Sequence, residues 1–345
     1  MPAQDRQGAP PDDGFRELFR LEGDVPPPPV ELLDWPDPAP VLPVQLYRLP
    51  EDREETLRGV LPIPEATAWD TAHSLTEWVS RQWNHANDHV ERYDAVEILA
   101  RAKDGGRFAC DEYTVVLAQA LNAVGIPARW LGLFRRDHHA GVGAAHSVAE
   151  AWIDELRRWV VLDGQNGAYW ADADGTPFGV VELQRAFHAG LDRPRLVGAT
   201  GPAADDDFWW LYFATAQTTG VSSPPASDLS WGPRTFGPVF QERLLLGTNR
   251  LLRKADAAYP DLSSVWIGIG GTREQPELTF GTDHPYACGF AVTDHRGRAD
   301  VAIEDTGWAL DLSAGEHDAQ ISLRTPYVHL DAGQVRYRIA HPPPT

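Results

Sequence analysis

Three side chains of the kinds that carry out covalent acyl chemistry stand in the order Cys110, His146, Asp163. They sit within the runs CDEYTVVLAQALNAVGIPARWLGL and AHSVAEAWIDELRRWVVLDG. A thiol can attack a carbonyl, an imidazole can take the thiol's proton, and a carboxylate can hold the imidazole in the required orientation. Thiols attack as thiolates, so the setting of the cysteine decides its use. After Cys110, residues Val116, Leu117, Ala120, Leu121 and Val124 recur at helical spacing, and Gly125 and Pro127 end the run. The spacing predicts a helix that starts at the cysteine. The positive end of such a helix and its unpaired N–H groups favour a thiolate and can hold an oxyanion.

Two strands must then bring the base and the acid together. The pattern predicts Ala145 to Ile153 and Trp159 to Asp163 as apolar-rich strands around the polar turn Asp154, Glu155, Leu156, Arg157. Side chains alternate between faces along a strand. A four-residue turn pairs Ile153 with Arg158 and sets Asp163 opposite Val148, one same-face step diagonally from His146. A five-residue turn would send Asp163 to the other face. A lone cysteine is commonly a small buried apolar residue, and a lone histidine in a strand is commonly structural. The argument therefore rests on the three together, in this helix and this hairpin.

These residues resemble the transglutaminase-like superfamily, a papain-like group of cysteine enzymes. The resemblance runs from roughly Asp94 to Phe187 and is carried by ILARAKDGGRFAC, GIPARWLGL, HSVAEAW and WVVLDGQNG. It implies Cys110 on a helix N-terminus, His146 on one strand and Asp163 on the next, as a catalytic triad. The common family strand reads His-x-Trp-x-Glu; here Val148 takes the aromatic position and Glu150 keeps the acid.

Related folds draw a second oxyanion donor from upstream. The candidates are Gln82, Trp83 and Asn84 in WVSRQWNH, all donors of suitable type. Trp83 is equally readable as packing beside Trp78 and Val79, and Glu150 reads as a strand acid serving a neighbouring polar group. His138 and His139, with His146, raise the question of a metal cluster. The loop RRDHHAGVGAAH lacks a matching Cys or carboxylate pattern, so no metal is expected and the loop reads as a flap beside the site. No cofactor is expected.

The chain has 345 residues, 43% of them hydrophobic, enough for two domains and an arm. Its formal net charge of -20 argues against a nucleic-acid partner or an anionic membrane. Cys110 and Cys288 lie far apart, so no disulfide is expected. MPAQDRQGAPPDDG lacks a basic start followed by an apolar stretch, which reads as a cytoplasmic location unless a leader precedes this numbering.

Residues 1–59 read as a Pro-rich extended N-terminal arm, its first dozen residues disordered, and residues 60–199 as the catalytic core. Residues 200–260 read as a connecting segment, aromatic at FWWLYF and helical at QERLLLGTNRLLRKA. Residues 261–345, with period-two apolar runs such as Val335, Tyr337 and Ile339, read as an all-β immunoglobulin-like sandwich. The aromatic cluster is readable as lining a substrate cleft, but packing is the first reading, with Trp209, Trp210, Tyr212 and Phe213 expected between the two domains. The sandwich is expected to carry no chemistry of its own. The fold class is thus α+β, with a transglutaminase-like (papain-like) core followed by a β-sandwich.

The expected function is cysteine-dependent hydrolysis of an amide or peptide-like substrate through a thioester acyl-enzyme. One alternative is an acyltransferase that forms an amide on a small metabolite or carrier-bound intermediate. The alternative from another class is a non-catalytic scaffold that binds a protein partner. The partner expected is an amide, peptide or thioester substrate, with neither nucleic acid nor membrane.

Overall fold

In the computed structural model, the described residues are 30–36, 44, 46–62, 67–137, 143–198, 206–219, 235–240, 243–246, 250–252, 259–272, 274–305 and 307–339. The first dozen residues and the His138–His139 part of the expected flap lie outside them. At the centre is the helix Cys110–Ala123, buried along almost its whole length. The helices Glu51–Arg58, Ala68–Ser80 and Ala95–Lys103 pack around it, as do the strands Ala128–Phe134 and Ala145–Ile153. Val115 to Leu121 meet Leu57, Leu75, Val79, Ile98 and the strand residues Ala149, Ala151, Val160 and Leu162 in one apolar core.

The core sheet has nine antiparallel strands. Its spatial order is Arg250–Leu252, Arg243–Leu246, Thr235–Phe240, Thr215–Thr219, Ala128–Phe134, Ala145–Ile153, Arg158–Asp163, Ala168–Ala171, Arg195–Val197. On its central strands, side chains alternate between the helical core and a second apolar layer. Leu131, Leu133, Val148 and Val161 face Trp170, Val180, Leu183, Trp209, Tyr212 and Phe213 in that layer.

The hairpin register agrees with the turn-length argument. Ile153 pairs with Arg158 and the ladder runs to Ala149 opposite Leu162, which carries Asp163 to the position opposite Val148.

Glu150 serves the role read for it. Its Oε1 accepts from Arg129 Nε at 2.7 Å, both groups being buried. The guanidinium lies over the rings of Trp159 and Tyr259 at 4.5 and 4.6 Å. Glu150→Ala should cost about 3–5 kcal/mol, because it leaves a buried guanidinium without its carboxylate. Urea unfolding of the variant against the parent chain measures this directly.

Two expectations on secondary structure are corrected. The stretch QERLLLGTNRLLRKA contains strands rather than a helix: Arg243–Leu246 and Arg250–Leu252 pair as a hairpin joined by three residues. Short apolar runs are ambiguous between helix and strand. The arm, read as extended, contains the helix Glu51–Arg58. Leu57 enters the core, and Arg58 Nε donates to the Ala123 carbonyl at 2.7 Å, satisfying an end carbonyl of the central helix.

The C-terminal region is an all-β sandwich. One sheet runs Val30–Asp34, His329–Ile339, Gly315–Arg324, Gly289–Asp294, Gly297–Ala302, and the other runs Val265–Gly271, Pro276–Thr282, Gly307–Ala309. Leu278 and Phe280 from one sheet share a core with Phe290, Val292, Ile321, Val335 and Tyr337 from the other. The arm contributes an edge strand here: Val30 pairs with Ile339 and Leu32 with Tyr337.

The sandwich docks on the C-terminal end of the central helix, away from Cys110. Tyr286 Oη donates to Asn122 Oδ1 at 2.8 Å and Tyr327 Oη to the Val124 carbonyl at 2.8 Å. A buried contact joins His284 Nε2 to Asp154 Oδ1 at 3.0 Å. These polar contacts replace the expected aromatic junction. Trp209, Tyr212 and Phe213 are buried, but in the second layer of the core, with Trp210 packed against them. Among the described residues no helix is long and apolar enough to cross a membrane.

Candidate active site

Cys110 is the first residue of its helix. The residue before it, Ala109, is extended and offers no capping side chain. Helices usually have Ser, Thr, Asp or Asn at that position, whose oxygen takes up a first-turn N–H. Here no such oxygen competes for the first-turn amides, and Asp111 and Glu112 complement the dipole. At the far end Gly125 has φ +82°, which an L side chain rarely adopts, and the Ile126 amide donates back to the Leu121 carbonyl at 2.9 Å.

The structure brings the three sequence candidates together. His146 Nε2 lies 2.8 Å from Asp163 Oδ2, both side chains being buried. Cys110 lies close enough to the ring to favour its protonated form. Because Nε2 is committed to the carboxylate, Nδ1 is the nitrogen left for sulfur. Gly164, just after the acid, allows the strand end to approach the helix. A Cβ there would stand 3.1 Å from the Tyr113 carbonyl oxygen and crowd Leu117 and Val79.

Asp163 is held on every side. Its Oδ1 accepts the amides of Gln165 and Asn166 at 3.0 Å each, and its Oδ2 also accepts Asn166 Nδ2 at 2.7 Å. A fully buried carboxylate with this many donors is fixed in direction. It sets the basicity of His146. Burial opposes the protonated ring, but the charge and hydrogen bond of Asp163, with a smaller contribution from Cys110, prevail and push His146 up to about 10.

The three upstream candidates part company. Gln82 turns its Nε2 onto the Trp78 carbonyl at 2.7 Å, within its own helix end. Asn84 is exposed. Trp83 is buried, its ring tilted against Tyr113 with centroids 4.2 Å apart and edge-on to Phe108, and its Nε1 has no hydrogen-bond partner among the described residues. Its neighbours flank Cys110 in sequence, and its own carbonyl accepts Tyr113 Oη at 2.7 Å.

Several residues around the site escaped the sequence reading. Trp209 lies over the His146 ring with centroids 4.4 Å apart, and Tyr212 approaches at 5.8 Å. Tyr212 Oη also donates to the Gly143 carbonyl at 2.5 Å. The density of aromatics in FWWLYF was the available signal, since aromatics can line a cleft as well as pack a junction. Ser147 Oγ donates to Asp111 Oδ1, tying the histidine strand to the first turn of the helix. His85 is held below the ordinary histidine range by partial burial and by the charge of His146, which places its loop beside the site. Glu112, at the base of that loop, accepts the Val90 amide at 3.0 Å and is pushed up mainly by burial.

The family model of the Transglutaminase-like superfamily matches residues 61–164, which spans the helix of Cys110, the strand of His146 and Asp163. The chain carries a transglutaminase-like core. The match starts upstream of the resemblance read from the sequence and stops just past the acid. No curated protein matches the chain. Among solved structures, red sea bream transglutaminase is similar at 11% identity and TM-score 0.29, over 85% of this chain and 58% of that one. At that score the likeness carries no argument, and the chain spans 58% of that structure's length. The superfamily in general performs cysteine-dependent acyl transfer or hydrolysis.

Proposed function

We propose that this transglutaminase-like core is a cysteine hydrolase that cleaves an amide or peptide-like substrate through a thioester on Cys110. The observation that carries the reading is the buried His146, hydrogen-bonded to Asp163, within electrostatic reach of Cys110 and made strongly basic there. In the first half-reaction the Cys110 proton resides on His146 and the sulfur attacks the substrate carbonyl. The tetrahedral oxyanion receives the Cys110 amide and, as second donor, the unpaired indole N–H of Trp83. His146 then passes its proton to the departing nitrogen, leaving an acyl-thioester. In the second half-reaction His146 takes a proton from water as the water attacks, and the thiolate leaves with the acid product formed.

Trp209 and Tyr212 close one side of the imidazole, while Phe208 and Leu211 beside them are exposed large apolar groups suited to an acyl chain or peptide side chain. Support against a silent scaffold comes from the completeness of the Asp163 hydrogen-bond set, which a purely structural histidine does not need.

The experiment is thiol labelling. Cys288 is the more exposed of the two thiols, so accessibility alone favours it. Iodoacetamide at neutral pH should nevertheless label Cys110 faster, and His146→Asn should remove that preference. Faster labelling of Cys288 in the parent chain would point to the scaffold instead.

A further inference from the structure

Outside the core, the fold assembles three side chains that the sequence scatters over a hairpin tip, a loop and a strand. His295 follows the strand Gly289–Asp294, Asp311 follows Gly307–Ala309, and His317 lies within Gly315–Arg324. His295 Nε2 is 2.9 Å from Asp311 Oδ2, and His317 Nδ1 is 3.9 Å from the same oxygen. One donor atom from each lies within 4.8 Å of the other two.

The surroundings fix two of the three in the form a cation needs. His317 Nε2 contacts the Ser313 carbonyl at 2.8 Å. A carbonyl only accepts, so Nε2 donates to it and Nδ1 is the ring nitrogen left to face Asp311. This is the backbone-carbonyl partner that orients metal-binding histidines. The ring is also stacked on Tyr337 at 5.0 Å, and the Tyr337 hydroxyl accepts the Asp311 amide at 3.1 Å. Asp311 Oδ1 is engaged by the Ser313 amide at 2.8 Å, which leaves Oδ2 as the outward oxygen. Nδ1 and a carboxylate oxygen therefore face each other, with the exposed His295 beside them.

We propose that His295 Nε2, His317 Nδ1 and Asp311 Oδ2 bind one zinc-type divalent ion, with a fourth position open to water. Two imidazoles and a carboxylate suit zinc, whose bonds of about 2.0–2.2 Å set tetrahedral ligands about 3.3 Å apart. The observed separations straddle that value, so small side-chain movements close the site. Asp318 lines the same groove, as do Asp294 and Glu316, which are paired with Arg296 and Arg338. The ion would clip the loop leaving the three-stranded sheet to the five-stranded sheet. It is a stabilising site on the sandwich, separate from the cysteine chemistry, and the absence of any ligand spacing in the sequence explains why no metal is expected there.

Calorimetric titration of the full chain with zinc chloride tests this, using the parent, Cys110→Ala and His295→Ala. Cys110→Ala removes the competing thiol site. The expected result is one zinc per chain retained in Cys110→Ala and weakened at least about 100-fold in His295→Ala, a loss no smaller than that from removing an outer-shell partner. Thermal unfolding in chelator should be alike for the parent and His295→Ala, while zinc raises the midpoint of the parent alone. Zinc binding that is absent from the parent, abolished by Cys110→Ala, or unaffected by His295→Ala would overturn the proposal.

Discussion

Cys110→Ala will abolish turnover and leave the fold intact. The side chain lost is small and only partly buried, it begins a helix whose stability rests on Val115 to Leu121, and alanine is the best helix former. No second nucleophile can take its place: Ser147, the nearest hydroxyl in the histidine strand, is committed to Asp111. Release of p-nitrophenol from p-nitrophenyl acetate, an activated ester that acylates thiolates, should fall to the uncatalysed rate, with circular dichroism unchanged. Sustained turnover by a folded variant would remove the thiol from the mechanism.

Asp163→Asn should reduce kcat by an amount on the order of 10⁴, by analogy with the same change in serine triads. The structure gives the reason. Oδ1 must keep accepting the amides of Gln165 and Asn166, so the new NH₂ has to occupy the Oδ2 position. There it meets two donors, His146 Nε2 and Asn166 Nδ2. The imidazole can satisfy it only by giving up the Nε2 proton, which moves the proton to the nitrogen facing sulfur and removes the base. The same conflict leaves a buried donor unpaired, at a cost of about 1–3 kcal/mol in stability. Steady-state kinetics with a parallel denaturation curve separates the two effects. An unchanged kcat would make Asp163 a structural residue.

The parts of the site that were legible in the sequence are those governed by local rules. The helix beginning at Cys110 follows from apolar spacing and the Gly125 stop, and the proximity of His146 to Asp163 follows from the parity of the turn between Ile153 and Arg158. Glu150 was legible as a structural acid because a strand carboxylate facing inward needs a partner, which Arg129 supplies. What escaped depends on contacts between distant segments. Trp209 reaches His146 because the chain returns across the sheet after some sixty residues, and no periodicity announces that. The pairing of Val30–Asp34 with the last strand joins the two ends of the chain, and neither end carries a signal for the other. The pairing of Arg243–Leu246 with Arg250–Leu252 was missed because its apolar run fits both periods.

The central claim is that Cys110 becomes acylated during the reaction. Brief exposure of the intact chain to p-nitrophenyl acetate, acid quenching and peptide mapping by mass spectrometry test it most directly. The account predicts one acetyl group on the peptide that contains Cys110, discharged when the quench is delayed and absent from His146→Asn. An acetyl group found on Cys288 instead, or turnover with no acetyl on Cys110 at any time, would contradict it.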